Sequence, residues 1–553
     1  MKKINILIFS LCITLMMHST PLTTISVVST AGGLSTAITA LGGDLLTVTN
    51  ITVTGTMDQR DFTTLKLRMD LLNVIDLSAV NVVAYSTFPA NTIPMEAFSN
   101  NRRIASIDLP TSVTSIDKDA FYGCESLFSI KIPNTVTSIG DGSFYGCGFK
   151  TITIPSSVTL IGVWAFAHSG LTSITIPSSV TIISDATFYE CEYLTTVSMP
   201  STVITIGISA FEYCRNLYSI NFPSSLTSIR YSAFATCSLL RTITIPSAVT
   251  YIGGFAFFRS GITSVKIESE IKIIGDYAFS SCSNLESINI PSSLTSIGEG
   301  LFFYCINLKS ITIPSSISSI GSYAFIACSR LTSMIIPPSV TSIGEYAFSN
   351  CSGLTSVTIP SSVSSIESFT FFWCEGLTSI TIPSSVKTIG ISVFCGCSGL
   401  TSIIIPSSVK SIGGAILFNC TSLKSIYANS ITPIDVSSVV DNFGNVNKST
   451  CILYVPIGTK SAYQAAAQWK DFIYIVETAT EVKSISQSNM KIKIMNGNLL
   501  IENGEKGAIL KIFTVSGVKI KELPIENYQT SVSLPVGIYV LQIGLYTDKI
   551  VIR

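Results

Sequence analysis

The sequence predicts a repeat solenoid, a ladder of short parallel strands, followed by a small all-β domain. Three observations predict it. A proline recurs at nearly constant intervals through the middle of the chain. A phenylalanine and a cysteine follow that proline at fixed distances. The periodicity then gives way to a tail of short alternating segments broken by Asn-Gly turns.

At 553 residues the chain is too long for one ordinary domain. It is 47% hydrophobic and only 12% charged, with 33 Lys and Arg balancing 33 Asp and Glu. Balanced charge gives no electrostatic case for nucleic acid or for an anionic membrane surface. Only the N-terminus has an apolar run approaching membrane-spanning length; elsewhere Ser, Thr and Pro interrupt every few positions, so the mature chain is expected to carry no integral membrane segment.

Taken from the N-terminus, Lys2-Lys3 followed by Ile4–Met17 has the charged and apolar regions of a secretory signal peptide, assigned to residues 1–25. Leu11 before Cys12 is too large for a lipoprotein cleavage site. The remaining cysteines are therefore read in an oxidising context.

The repeat is clearest at Leu354–Cys374 (LTSVTIPSSVSSIESFTFFWC). Its proline slot is filled at 110, 133, 155, 177, 200, 223, 246, 291, 314, 337, 360, 383 and 406, with Glu268 and Asn429 in the same slot. Eleven intervals are 23 residues and three are 22. With this slot as zero, apolar residues fall at −6, −3 and −1, then at +3, +6, +10 and +11. The L-x-x-I-x-I-P stretch reads as a short strand ended by proline. Position +11 is phenylalanine from Phe121 to Phe394, and Leu417 in the last unit. No single rung can bury these groups alone, so stacking must form a continuous spine, Phe166 on Phe188 and so on.

Twelve cysteines occupy position +14, from Cys124 to Cys420; Cys395 and Cys451 stand apart. No C-x-x-C metal spacing occurs. Parallel in-register thiols do not converge as a disulfide requires, so buried free thiols are expected. In the short rungs Gly148, Gly170 and Gly261 follow this position, and a tight turn with positive φ is the expected reason.

These residues carry a resemblance. The pattern LTSITIPSSVTSIGxxAFxxC is similar to the leucine-rich repeats of BspA-like bacterial surface proteins, over a solenoid assigned to 101–430. The resemblance implies an N-terminal cap with a degenerate first repeat over 26–100, the latter carried by Leu72–Ser78 and Ile93–Phe98. It implies a closing cap over 431–478, where Tyr463 and Trp469 would cover the end of the spine. It also implies adhesion to host extracellular-matrix proteins or to other bacteria. The tail, 482–553, reads as six or seven strands. Its segments Leu510–Gly517, Val532–Val540 and Lys549–Arg553 resemble the type A sorting domain of type IX (Por) secretion. That likeness implies a Gram-negative bacterium of the Bacteroidota type, export by the type IX machinery, and a secreted or outer-membrane surface location.

The only histidines are His18 and His168, and no G-x-S-x-G motif is present, so neither a Ser-His-Asp site nor a zinc site can be assembled. Acids fall at non-equivalent rung positions, and the domain assignment leaves no block for a catalytic domain. A non-enzyme without a cofactor is expected. Binding is expected on the outward strand residues: −4 is always Ser or Thr, while −2 varies through Lys131, Asn221, Lys266, Asn289 and Tyr427. A second candidate is the loop after the spine phenylalanine, with Tyr304, Phe372 and Trp373 as anchors for protein or stacking platforms for sugar. Three roles remain open: an adhesin, a glycan-capturing surface protein, and a structural component of the surface coat.

Overall fold

The computed structural model describes residues 23–268, 270–478 and seven strands between 491 and 552. Residues 1–22 of the expected signal peptide, and the Asn496-Gly497 and Asn503-Gly504 turns, lie outside the described residues. The chain divides into two compact units: Met1–Lys424 with Ile434–Asn447, and Ser425–Pro433 with Lys448–Arg553.

The first unit is a parallel β-solenoid. It starts earlier than the repeat pattern suggests. Strands β1 (Thr24–Ser29), β2 (Asn50–Met57) and β3 (Val74–Val82) pair in parallel register, and Ile25, Ile51, Ile75, Ile107 and Ile130 align in one column. The turns after β1 and β2 are helical, α1 (Leu34–Ala40) and α2 (Gln59–Arg68). Asp61 ties the two together: its carboxylate accepts from Gly32 N at 2.7 Å, Leu34 N at 2.9 Å and Asp58 N at 3.0 Å. Asp58 caps α2 and is paired with Arg60 at 2.6 Å. Burial opposes its charge, but the bonds from Arg60 outweigh burial and hold the Asp58 carboxyl below its ordinary pKa.

Most later rungs have two short strands; the stretches before Pro155 and Pro314 are not strands. The strand before the proline pairs with its equivalents one repeat away, as in Ser173↔Thr196 and Ser356↔Ser379. A second two-residue strand at +5 and +6 forms its own row, as in Ser115↔Ser138 and Ser296↔Ser319. Alternation sends Ile107, Leu109 and Ile116 inward and leaves −4 and −2 toward solvent.

The spine is continuous. Thirteen consecutive ring pairs from Phe98–Phe121 to Phe371–Phe394 are stacked, with Phe166–Phe188 at 5.7 Å and 7°. Phe98 belongs to the degenerate first repeat, and Phe62 of α2 closes the column edge-on at 6.0 Å. Every spine ring is fully buried; such burial is worth about 1.5–3 kcal/mol each.

The loop that carries the spine is held by an unusual ladder. In every rung the N–H groups at +9, +11 and +13 donate to the carbonyls at +8, +10 and +12 of the next rung, as Ser209, Phe211 and Tyr213 do to Tyr231, Ala233 and Ala235 at 2.8–2.9 Å. A parallel β-ladder alternates its donors between two neighbours. Here the donors in between, at +10, +12 and +14, turn back within the rung, as Ala210, Glu212 and Cys214 do to Gly207, Ser209 and Phe211, so the inter-rung donors from +9 to +13 all point one way. The geometry requires left-handed residues at +9 and +13 in each rung, among them Trp164 (φ 61), Ser209 (φ 52) and Tyr213 (φ 60). The last rung's donors, Ala415, Leu417 and Asn419, are taken by the carbonyls of Val440, Asn442 and Gly444. The segment 434–447, within the closing cap expected over 431–478, thus closes the loop ladder of the first unit.

All fourteen cysteines among the described residues are free and buried. Each of the twelve at +14 points its thiol at the carbonyl of the preceding spine phenylalanine, at 3.0–3.3 Å, for example Cys214 Sγ to Phe188 O at 3.1 Å. Burial pushes the thiols up, to about 12 for Cys191, Cys282 and Cys351, so they remain protonated donors at neutral pH. In two short rungs Ser169 and Ser260 fill the slot and meet Cys191 and Cys282 at 3.4 and 3.3 Å.

The expected positive φ at Gly148, Gly170 and Gly261 is not found; none of them is left-handed. Their reason is space. A Cβ would collide with the main-chain carbonyl of Glu125, Gly148 and Ser238 respectively. At this point the chain passes close to the preceding rung, as it also does at Gly353, Gly376 and Gly399 of full-length rungs.

In the second unit, strands Ser425–Ala428, Ile452–Pro456 and Tyr474–Thr478 pair in parallel. Tyr463 and Trp469 are buried against each other at 5.6 Å, and the Tyr463 hydroxyl donates to Ser430 O at 2.8 Å. The tail forms two antiparallel sheets. One joins Lys491–Met495, Asn498–Glu502 and Gln529–Ser533; the other joins Lys519–Pro524, Ile509–Thr514, Gly537–Ile543 and Tyr546–Ile552. Among its described side chains Leu510, Ile512, Val532, Tyr539 and Leu541 are buried.

Candidate binding surfaces

Much of the Ser and Thr content is structural. At +2, Thr135, Ser157, Ser225, Ser293 and Ser385 donate to the +3 carbonyl of the preceding rung at 2.6–2.7 Å. At +4, Thr137, Thr227 and Thr341 donate to the +4 carbonyl of the preceding rung at 2.9–3.2 Å. At −5, Thr195, Thr355 and Thr378 do the same along their own row. The +2 hydroxyls bond carbonyls outside the two-residue strands, whereas at +4 and −5 the hydroxyl is a second donor to a carbonyl that already accepts the same residue's N–H.

What remains for recognition is the −2 row and the loop side. Lys131, Asn221, Lys266 and Asn289 are all exposed on the strand face, and Ile335 in the same row is 83% exposed. Two of the four are partly committed. Lys266 is paired with Glu268 at 2.6 Å, and the Asn289 amide holds both the N–H and the C=O of Ile267 at 2.8 and 2.9 Å. Lys131 and Asn221 keep outward side chains. Tyr427 lies in the second unit, stacked on Tyr454 at 4.6 Å.

The loop-side candidates fall on a different face. Tyr304 is 50% and Trp373 40% exposed, while Phe372 is half-buried, edge-on to Phe369 at 5.5 Å and to Trp373 at 6.2 Å. They belong to something larger that single loops do not show. Aromatic residues at +8, +9, +12 and +13 of successive rungs meet in columns: Tyr122–Tyr145 at 4.6 Å, then Trp164, His168, Tyr189 and Tyr213; Phe255–Tyr277 at 5.1 Å; and Tyr323–Tyr346–Phe369 at 5.3 and 4.4 Å. Aligning the rungs on their prolines and reading position +9 is the signal that could have found them.

Charge divides between the two faces. From +7 to +13, the carboxylates Asp117, Asp119, Asp141, Asp185, Glu190, Glu212, Asp276, Glu299, Glu345 and Glu367 face only three fixed cations, Lys118, Arg230 and Arg259. From −5 to −2, the cations Lys131, Lys150, Arg241, Lys266, Lys309 and Lys424 face Asp108 and Glu286. A chain with no net charge therefore presents one acidic and one basic side. Some carboxylates are structural: Asp141, Asp185 and Asp276 each accept the N–H at +8 of the next rung, at 2.7–2.9 Å. Asp119 is held above its ordinary pKa, by burial first and then by Glu96 and Asp141, against the opposing pull of Lys118.

His168 is paired with Glu190 at 3.1 Å. Among the described residues no group of three or more His, Cys, Asp or Glu side chains is arranged to hold a metal ion, and no helix is long and apolar enough to cross a membrane.

Among known families, the BspA type leucine-rich repeat region matches this chain in six copies over residues 91–218, 204–332 and 318–442. A leucine-rich repeat protein from Bacteroides ovatus, of known crystal structure, is 35% identical over 59% of this chain and 85% of its own, with a TM-score of 0.55. A leucine-rich cell surface protein from Faecalibacterium prausnitzii is 28% identical over 62% of this chain and 85% of its own, with a TM-score of 0.33. The leucine-rich repeat protein of T. pallidum is 27% identical over 33% and 78%, with a TM-score of 0.26. No match was found among curated proteins.

Proposed function

This chain belongs to the BspA-type leucine-rich repeat family, and from that premise we propose that it is a secreted or cell-surface protein that binds other proteins, as an adhesin for host extracellular-matrix proteins or for other bacteria. The observation that carries the reading is the exposed −2 row, where a variable residue points outward in rung after rung of a regular scaffold. A solenoid offers a partner many weak contacts on such a face, and a few of them dominate the affinity. Its excess of Lys and Arg at −5 and −2 favours an acidic partner surface.

The test is binding of the full chain to a panel of immobilised matrix proteins. The triple variant Lys131→Ser, Asn221→Ser, Ile335→Ser should weaken capture at least about tenfold, because these side chains are exposed and carry no rung-to-rung bond. Trp373→Ala should leave it unchanged. A triple variant that binds as well as the parent places recognition elsewhere. The exposed rings of Tyr304 and Trp373 support a second reading, glycan capture, for which glycan-array binding abolished by Trp373→Ala is the expected sign.

The tail is assigned, on its sequence likeness, to type IX sorting, and residues 1–25 to export. Deleting 482–553 should leave the protein inside the outer membrane, and surface display of the truncated chain would refute that assignment.

A further inference from the structure

The loop face carries a feature that the strand-face reading does not use. Position +9 is left-handed in every rung, and Gly142 and Gly300 show that glycine fits there. Yet this slot holds Trp164, Phe255, Tyr277, Tyr323, Tyr346 and Phe369. A bulky L-residue in that conformation is strained relative to glycine, and such strain persists where the side chain serves another purpose.

Trp164 shows what the purpose can be. It is 41% exposed, so stacking on its neighbours leaves much of the ring uncovered. Tyr189 lies at 5.0 Å, Tyr145 at 6.4 Å, and His168 bridges the two at 4.8 and 5.7 Å. Glu190 and Glu212 border the rings. No Lys or Arg occurs between +7 and +13 in the four rungs from Gly140 to Tyr213; the fixed cations that reach its edge include Arg230, 3.5 Å from Asp185, and Arg215. Burial, with these two carboxylates, pushes the Tyr189 phenol up to about 12, and Glu190 helps burial to hold Glu212 above its ordinary pKa. Electron-rich ring faces beside carboxylates are the chemistry that receives a guanidinium or an ammonium group. The chain supplies its own example at the edge of this patch, where Arg215 lies 5.7 Å over the Tyr213 ring with its Nε 3.5 Å from Glu192.

We propose that the Trp164–Tyr189 patch is a docking surface for a cationic, arginine- or lysine-bearing segment of a partner protein, held by the Trp164 ring and by the Glu190 and Glu212 carboxylates. It lies apart from the −2 row, so the two surfaces succeed or fail independently.

The test uses the full chain and a fluorescein-labelled decapeptide of alternating arginine and glycine, followed by anisotropy at low salt. Trp164→Gly is the informative variant, because glycine suits the left-handed slot and folding should be retained. It should weaken binding about tenfold or more, as should Glu190→Gln with Glu212→Gln. The same peptide with citrulline for arginine should not bind. Trp373→Gly and the strand-face triple variant should leave the affinity unchanged. An affinity unaltered in folded Trp164→Gly, an equal loss in Trp373→Gly, or no binding by the parent chain would overturn the proposal.

Discussion

The strand side and the loop side of each rung solve one problem in two ways. Both must pair main-chain groups with the next rung while burying the same core. The strand side uses short parallel strands and adds Ser and Thr hydroxyls that donate to carbonyls of the preceding rung. The loop side uses no strand at all. It turns two residues per rung left-handed, sends three N–H groups to the next rung while the donors between them turn back within the rung, and in twelve rungs adds a thiol to the preceding spine carbonyl. The difference teaches that a hydroxyl repeated on one face reports hydrogen-bond bookkeeping, whereas an aromatic repeated on the other sits against its own backbone preference and points to binding.

The largest test of this division is alkaline pH. The ladder thiols have folded pKa values raised to about 12 for Cys191, Cys282 and Cys351, against 9.0 when free. A raised folded pKa contributes stability that is fully present below the unfolded value and is lost as pH climbs toward the folded one. Every tenfold weakening of a thiol's acidity on folding is worth about 1.4 kcal/mol, and the effect is multiplied along the ladder. Circular dichroism should therefore show cooperative unfolding between pH 9 and 12, and thiol reagents should leave the twelve ladder cysteines unlabelled in the native state at pH 7. Early labelling of several ladder cysteines would contradict the buried-thiol account.

Point substitutions sharpen the comparison at smaller scale. Phe211→Ala, which both sides need, should cost about 3–5 kcal/mol in denaturant titration. Cys214→Ala removes the loop side's donor to Phe188 and leaves a small void; about 1–3 kcal/mol is expected. Ser225→Ala removes a strand-side hydroxyl bonded to Val203 and should cost about 1 kcal/mol. Ser232→Gly, at a left-handed slot, should be neutral or stabilising within about 1 kcal/mol. A large loss there would mean that the loop does not need a left-handed residue.

The period, the phenylalanine spine, the buried free thiols and the all-β tail could be read from sequence, because each rests on a residue type repeated at a fixed spacing. The start of the ladder could not. Ile25 and Ile51 sit in the same column as Ile107, but helices α1 and α2 replace the repeat's loop and erase its Pro, Phe and Cys marks. The left-handed slots were hidden as well. At +9 and +13 they accept residues as different as Gly, Ser, Trp and Arg, so no composition betrays them. The glycines of the short rungs stand out in the sequence, but their physical reason is a carbonyl in the way and not φ. Of the candidate site, Lys131, Asn221 and Trp373 were legible as outward positions. The opposed charge of the two faces was concealed by a net charge of zero.

Hydrogen exchange read by mass spectrometry tests the one-way loop ladder most directly. The amides of Ser209, Phe211 and Tyr213, and their equivalents in other central rungs, should be as strongly protected as those of the strand at Thr242–Ile245. Loop amides that exchange within seconds while the strand stays protected would contradict the account.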